Sequence, residues 1–296
     1  MDPHSVLQPD VLIAALIILV PFLYAAFYPD RVPAAAQALP KPLRIAAPAL
    51  LCLPYLFVAR AFHIFHWQWL ALYALLPAGV AFLLEQARWA DKGNRGNWRD
   101  FLVLAVLGLA VDLRWFEPAW PHGYAAFGKM LLLDAGIFAF LGVRKLDGVG
   151  FDLRVRGSDA AIGFRELAFY AIVAVPLGLG LGFLHFHAAW PQPLRAIGAF
   201  VFTFLFIAIP EELFFRGWLQ NLLERRLGGF GALLMTAALF GLSHWNKHTT
   251  GFNWRYVIMA AIAGISYGRA WRAQRRVAAS CLTHATVDTL WSLWLR

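Results

Sequence analysis

Residues 196–223 read AIGAFVFTFLFIAIPEELFFRGWLQNLL. A helix needs roughly 17–25 mostly apolar residues to cross the hydrocarbon of a bilayer, and this run supplies them. It shows no period-two alternation, and an open strand could not satisfy its backbone groups in lipid. The segment is therefore expected to be a membrane helix, and its middle holds Pro210, Glu211, Glu212 and Arg216. Ionisable groups inside a spanning segment are expensive and default to functional candidates.

The rest of the chain has the same character. Of its 296 residues, 60% are hydrophobic and only 15% are charged, with a mean hydropathy of +0.60. Soluble domains run at about 45–50% apolar and about 25% charged. Such a chain cannot hide its apolar surface in one soluble core, so lipid is its expected solvent. Trp67, Trp69, Trp115, Trp120, Trp190, Trp245, Trp254 and Trp294 stand beside the ends of apolar runs, as interfacial belts do. The net charge of +9 suits loops facing the cytoplasm and anionic lipid, and no basic, aromatic-interleaved module argues for nucleic acid. Cys52 and Cys281 both fall in apolar segments, so no disulfide framework is expected. Residues 1–10 carry two Asp and no Lys or Arg, unlike a secretory leader, so the first apolar run is expected to be a retained helix.

Ten candidate spans can be marked: 11–28, 45–62, 67–84, 101–116, 127–143, 167–186, 197–222, 231–248, 254–271 and 277–295. The predicted fold is an all-α, polytopic helical membrane bundle of about ten transmembrane helices. With this parse, 19 of the 26 Lys and Arg fall after odd-numbered spans, which places those loops in the cytoplasm and both termini outside it. The expected setting is a bacterial inner membrane. The most polar connection, 144–166, divides the chain into an N-terminal five-helix region, 1–160, and a C-terminal five-helix domain, 161–296. Asp112, Arg114 and Asp134 sit in the two shortest spans of the first region, which otherwise offers no chemical constellation.

Three polar clusters mark the second domain. The first is Pro210-Glu211-Glu212-Leu213-Phe214-Phe215-Arg216. Neighbouring helical residues project about 100° apart, so the two carboxylates cannot address one point. Glu212 can pair with Arg216 at i,i+4, which leaves Glu211 for another task. Pro210 removes a backbone donor and invites local distortion. Taken alone, the cluster also fits a buried ion pair at a kink. The second cluster is Phe240-Gly241-Leu242-Ser243-His244, which by itself reads more readily as an interfacial histidine. The third, His284-Ala285-Thr286-Val287-Asp288, puts both polar side chains on one helix face; alone it fits a structural pair equally well. Counting about 1.5 Å per residue from the helix ends, all three clusters fall near mid-membrane, where one shared wet cavity is less costly than three separate burials.

The residue types suggest hydrolysis. A carboxylate in a low-dielectric cavity suits a general base, so Glu211 could take a proton from water attacking a carbonyl. His244 could hold that water and pass a proton to the leaving amine. His284 could donate to the oxyanion, with Asp288 orienting it or donating when protonated.

Together the clusters resemble the CAAX-protease and bacteriocin-processing family of intramembrane glutamic endopeptidases, whose helices carry E-E-x-x-x-R, F-x-x-x-H and H-x-x-x-N/D in that order. Glu211-Glu212-…-Arg216, Phe240-…-His244 and His284-…-Asp288 match, over about residues 195–296. The resemblance implies that Glu211 and His244 activate water, that His284 and Asp288 form the oxyanion side, and that Glu212, Arg216 and Phe240 support them. It implies a membrane-embedded or lipidated protein substrate, in CAAX-type processing or a bacterial protein-sorting system, and no metal cofactor.

Three other readings compete. Glu211, His244 and His284 are legitimate zinc ligands with an open fourth position, although no H-E-x-x-H is present. A proton-coupled transporter would use intramembrane carboxylates on a kinked helix, with Asp112 and Asp134 on its path; no repeat relates the two halves. A non-catalytic immunity or scaffold protein would keep the residues idle. His63, His66, His122, His185 and His187 are read as interfacial, Cys281 as packing, and Arg272, Arg275 and Arg276 as a cytoplasmic anchor. Nothing in the sequence fixes an oligomeric state.

Overall fold

A computed structural model describes residues 8–187, 190–247 and 251–295. Every regular element among these residues is a helix, with no strand. The chain divides into two compact units, Met1–Asp147 and Gly148–Arg296.

The first unit holds α1 (Pro9–Phe27), α2 (Arg31–Ala38), α3 (Lys41–Ala61), α4 (Trp67–Ala90), α5 (Trp98–Asp112) and α6 (Ala125–Val143). Asn97 caps α5: its side chain accepts from Arg99 N, and Asp100 answers by accepting from Asn97 N at 2.8 Å. The other Asp100 oxygen takes Arg144 Nε at 2.8 Å, and Asp91 takes Arg144 Nη2 at 2.7 Å. Buried Arg144 thus ties the end of α6 to both ends of the α4–α5 connection. Trp120, read from sequence as interfacial, is instead buried and donates to Tyr73 Oη at 2.6 Å. Asp134 is buried within α6, and its Oδ2 has no hydrogen-bond partner.

The second unit holds α7 (Gly157–Gly180), α8 (193–227), α9 (229–242), α10 (Trp254–Gln274) and α11 (Val277–Leu290), which ends in a π-helical turn, Trp291–Leu295. Helices α8 and α9 form one continuous path broken at Gly228, whose φ of 71° and ψ of 170° favour a residue without Cβ. The segment 148–156 belongs with this unit because α10 and α11 hold it. Val277 N donates to Gly150 O at 2.8 Å, and Trp271 Nε1 donates to Val149 O at 3.0 Å. Gly150 has φ +71°, and a Cβ there would overlap the Arg275 carbonyl. Arg276 is buried and binds Asp159 at 2.9 Å and Asp152 at 3.0 Å. It is a buried clamp inside the unit.

Six helical segments are long and apolar enough to cross a membrane, among the described residues. This corrects the expected count of ten. The physical reasons are length and polarity. Helix α5 has 15 residues, about 22 Å of rise, short of the roughly 30 Å core. The α-helical part of α11 has 14 residues, and α10 carries Arg255, Arg269 and Arg272. Helices α8 and α9 count as a single 50-residue segment, Pro193–Leu242. The chain is an integral membrane protein of helical class.

Close packing of α9 on α10 sets the floor of the site. A Cβ on Gly264 would meet Ala237 Cα at 3.0 Å, and one on Gly241 would meet Val257 O at 2.5 Å. Small residues let helix backbones approach in this way.

Candidate active site

The winding of α8 changes around Glu211 and Glu212. Residues Phe204–Ala208 and Leu213–Gln220 are π-helical, flanking one α-helical turn, Ile209–Glu212. Ile209 N donates to Phe204 O, five residues back. The wide turn therefore stands immediately ahead of Pro210, where the α ladder would lack a donor. π-Bulges of this kind recur at functional sites.

The two glutamates part company, as their helical angle requires. The Glu212 side chain is fully buried, while that of Glu211 is 26% exposed. Glu212 Oε2 lies 3.2 Å from Arg216 Nε, and Oε1 lies 2.8 Å from His284 Nδ1. The Arg216 contact is an ion pair without hydrogen-bond alignment, since both atoms lack such a partner. Arg216 Nη2 donates to Gly264 O at 3.1 Å, and its Cζ sits 4.6 Å from the centre of the Phe240 ring and 5.3 Å from that of Tyr267. The guanidinium is thus enclosed by a carboxylate, a carbonyl and aromatic faces, the partners that make a buried arginine tolerable.

His284 is the hub. Its Nδ1 faces Glu212, and its Nε2 lies 3.5 Å from Asp288 Oδ2 and 3.9 Å from Glu211 Oε2. Both ring nitrogens point at carboxylate oxygens, so a ring donating from both satisfies both sides. Tyr267 stacks on the ring at 4.5 Å and 13°, and Phe240 meets it edge-on at 5.7 Å. These rings leave the imidazole one orientation.

His244 stands one turn from Phe240. Its Nδ1 lies 2.8 Å from Phe240 O, and Ser243 Oγ lies 3.2 Å from the same nitrogen. The bond to the carbonyl assigns the proton to Nδ1 and leaves Nε2 as acceptor. The ring centres of Phe240 and Tyr256 are each 4.9 Å away.

A cavity of about 90 Å³ joins these groups, with Tyr170, His244, Tyr267, His284 and Asp288 in its wall. It is polar on one side and large enough for water. Glu211 is not part of that wall; it reaches the group through its approach to His284.

The structure thus brings Glu211, Glu212, Arg216, Phe240, His244, His284 and Asp288 into one neighbourhood. It also assigns a partner the sequence left open, because the short bond to His284 Nδ1 comes from Glu212 and not from Asp288. Sequence reasoning missed Tyr267, Gly264 and Tyr170. The signal for the first two was present as Gly264-Ile265-Ser266-Tyr267-Gly268, a small-x-x-x-small pattern marking the face of α10 that packs closest. Tyr170 gave no signal, since nothing local distinguishes it from an interfacial tyrosine. Among the described residues, no group of three or more His, Cys, Asp or Glu is arranged to hold a metal ion.

Residues 193–290 match the family model described as Rce1-like, type II CAAX prenyl endopeptidase. No curated protein and no solved structure matches the chain.

Proposed function

We propose, on the match of residues 193–290 to the Rce1-like family model, that the protein hydrolyses a peptide bond by glutamate-activated water. The observation that carries this reading is the division of labour between the adjacent carboxylates. Glu212 is fully buried between Arg216 and His284, whereas Glu211 is partly exposed and lies 3.9 Å from His284 Nε2. Of the two adjacent glutamates, Glu211 is the one that reaches water while staying close to the histidine.

In the proposed reaction, Glu211 takes a proton from water as the oxygen attacks the scissile carbonyl. His244 accepts a hydrogen bond from that water through Nε2, then relays the proton taken by Glu211 to the leaving amine. His284, held through Nδ1 by Glu212, donates from Nε2 to the oxyanion. Asp288 borders the same nitrogen and limits its swing. Arg216 and Phe240 hold Glu212 and His284 in place.

The substrate class proposed is a membrane-embedded or lipidated protein, in CAAX-type processing or a bacterial sorting system. The setting proposed is the bacterial inner membrane, with both termini outside the cytoplasm. The chemistry is proposed to be metal-free, with zinc held by Glu211, His244 and His284 as the alternative.

The test is proteomics of host membranes expressing wild type or Glu211→Gln at equal level, scored for protein termini. Termini left uncleaved only with the variant are expected. Identical termini in both would refute the assigned base, and inactivation of the wild type by a zinc chelator would refute the metal-free chemistry.

A further inference from the structure

Helix α7 lies outside residues 193–290, yet it supplies part of the wall of the cavity around His284. Its sequence sorts its two faces. Phe164, Phe169, Ile172 and Val173 are exposed, as lipid-facing residues are. Gly163, Glu166, Ala174 and Gly178 are buried, at the three- and four-residue steps of a packed helix face. That face meets both neighbouring helices: Thr283 Oγ1 of α11 donates to Gly163 O at 3.3 Å, and Arg269 Nε of α10 donates to Glu166 Oε2 at 2.8 Å. Tyr170 falls on the same stripe, four residues after Glu166 and four before Ala174, and it lines the cavity with Tyr267, His284 and Asp288.

Most hydroxyls beside the site turn back onto backbone. Thr283, Thr286 and Thr289 of α11 donate to Ala279 O, Leu282 O and Ala285 O at 3.1, 2.7 and 2.6 Å. Tyr170 does not: among the described residues its hydroxyl has no hydrogen-bond partner, and Asp288 is its electrostatic neighbour. A tyrosine hydroxyl taken out of water ordinarily finds a partner. This one is available to a molecule that enters the cavity.

The reaction proposed for the site has such a need. Negative charge develops on the scissile carbonyl oxygen, and oxyanion stabilisation rests on preorganised donors aimed at that atom. His284 Nε2 is one. Asp288, 3.5 Å from the same nitrogen, only accepts when ionised and would repel the oxyanion. Tyr267 is badly placed, because its ring stacks on the imidazole at 4.5 Å and 13°. An oxygen bound to Nε2 lies in the imidazole plane, and a parallel ring keeps its hydroxyl in a plane of its own. Tyr256 packs on His244, at 4.9 Å.

We infer that Tyr170 is the second oxyanion donor, its hydroxyl hydrogen-bonding to the carbonyl oxygen beside His284 Nε2. The inference rests on the peptidase reading of the same site. An amide at position 288 could donate to the oxyanion itself; with aspartate there, a helix from outside residues 193–290 supplies the donor.

The experiment is steady-state cleavage of an internally quenched, farnesylated CAAX peptide by the full chain in detergent, beside the same peptide with a thioamide at the scissile bond. Sulfur accepts hydrogen bonds more weakly than oxygen, so the oxygen form should be cleaved faster by wild type. Tyr170→Phe should lower kcat by about 10²–10³-fold, the loss on removing one oxyanion donor. KM should stay as in wild type, since the bond forms in the transition state. The ratio of oxygen to sulfur rates should also shrink, which a packing defect would not cause. A kcat near wild type, or a lowered kcat with the ratio unchanged, would overturn the role of Tyr170. Glu211→Gln keeps the two readings apart. Its inactivity beside a normal Tyr170→Phe protein would remove the tyrosine and leave the peptidase standing. No cleavage by wild type, or equal cleavage by Glu211→Gln, would overturn the peptidase reading and this inference with it.

Discussion

Replacing Glu212 with Gln tests the reading of the paired carboxylates most sharply. Gln keeps the shape of the side chain and can still accept from His284 Nδ1, but it removes the carboxylate that pairs with Arg216 at 3.2 Å. Arg216 is fully buried, and breaking one side of such a pair costs about 3–5 kcal/mol, because the charge left behind stays desolvated. The bond to Gly264 O at 3.1 Å and the Phe240 face at 4.6 Å remain, so the lower part of that range is expected. At about 2–4 °C per kcal/mol for a domain of this size, 3 kcal/mol lowers Tm by about 6–12 °C. The assay is thermal unfolding of the detergent-purified protein, with Glu211→Gln in parallel. Glu211 is partly exposed, so its variant should unfold within about 2 °C of wild type, as surface substitutions do, while losing turnover. A Glu212→Gln protein as stable as wild type beside a destabilised Glu211→Gln protein would refute the assignment and exchange the two roles.

Further expectations can be checked singly. His244→Ala should lower kcat by about 10²–10⁴-fold, the range of a general acid–base group, with Tm little changed; near-normal turnover would remove His244 from the reaction. Asp288→Asn should reduce kcat by no more than about tenfold, because the short bond orienting His284 comes from Glu212; complete loss would show that the Asp288 charge positions the ring. Asp152 lies in the segment ahead of α7. Burial works to raise its pKa, but hydrogen bonds from Arg154 and Arg276 outweigh this and hold it at about 2, below its ordinary 3.8. Its contribution to stability is therefore complete above about pH 4 and is lost as pH falls through about 2. An acid titration of Tm should lose part of its slope in Asp152→Asn, and an unchanged slope would refute the linkage.

Much of the site was legible because its signals are local. Glu212 with Arg216, and His284 with Asp288, sit at i,i+4, and each pair lies within 3.5 Å. The helix angle alone separates Glu211 from Glu212. Helical class and membrane residence followed from composition, since a chain with so few charges has no other solvent. The span count did not follow, because hydropathy records neither how far a helix extends nor where it is buried in protein. Asp100 and Arg144 show this, as both fall outside the marked spans and pair with each other in the interior of the first unit.

Sequence by itself determined an all-helical membrane chain with six polar site residues on three helices, because helical period and lipid solvation act on neighbours along the chain. Tertiary structure alone decided that Glu212, and not Asp288, binds His284 Nδ1; that Tyr267 stacks on the same ring; and that Tyr170 lines the same cavity. Those contacts join residues far apart in sequence. They depend on the π-helical turns around Glu212 and on glycines that let α9 and α10 approach, and neither is set by nearest neighbours.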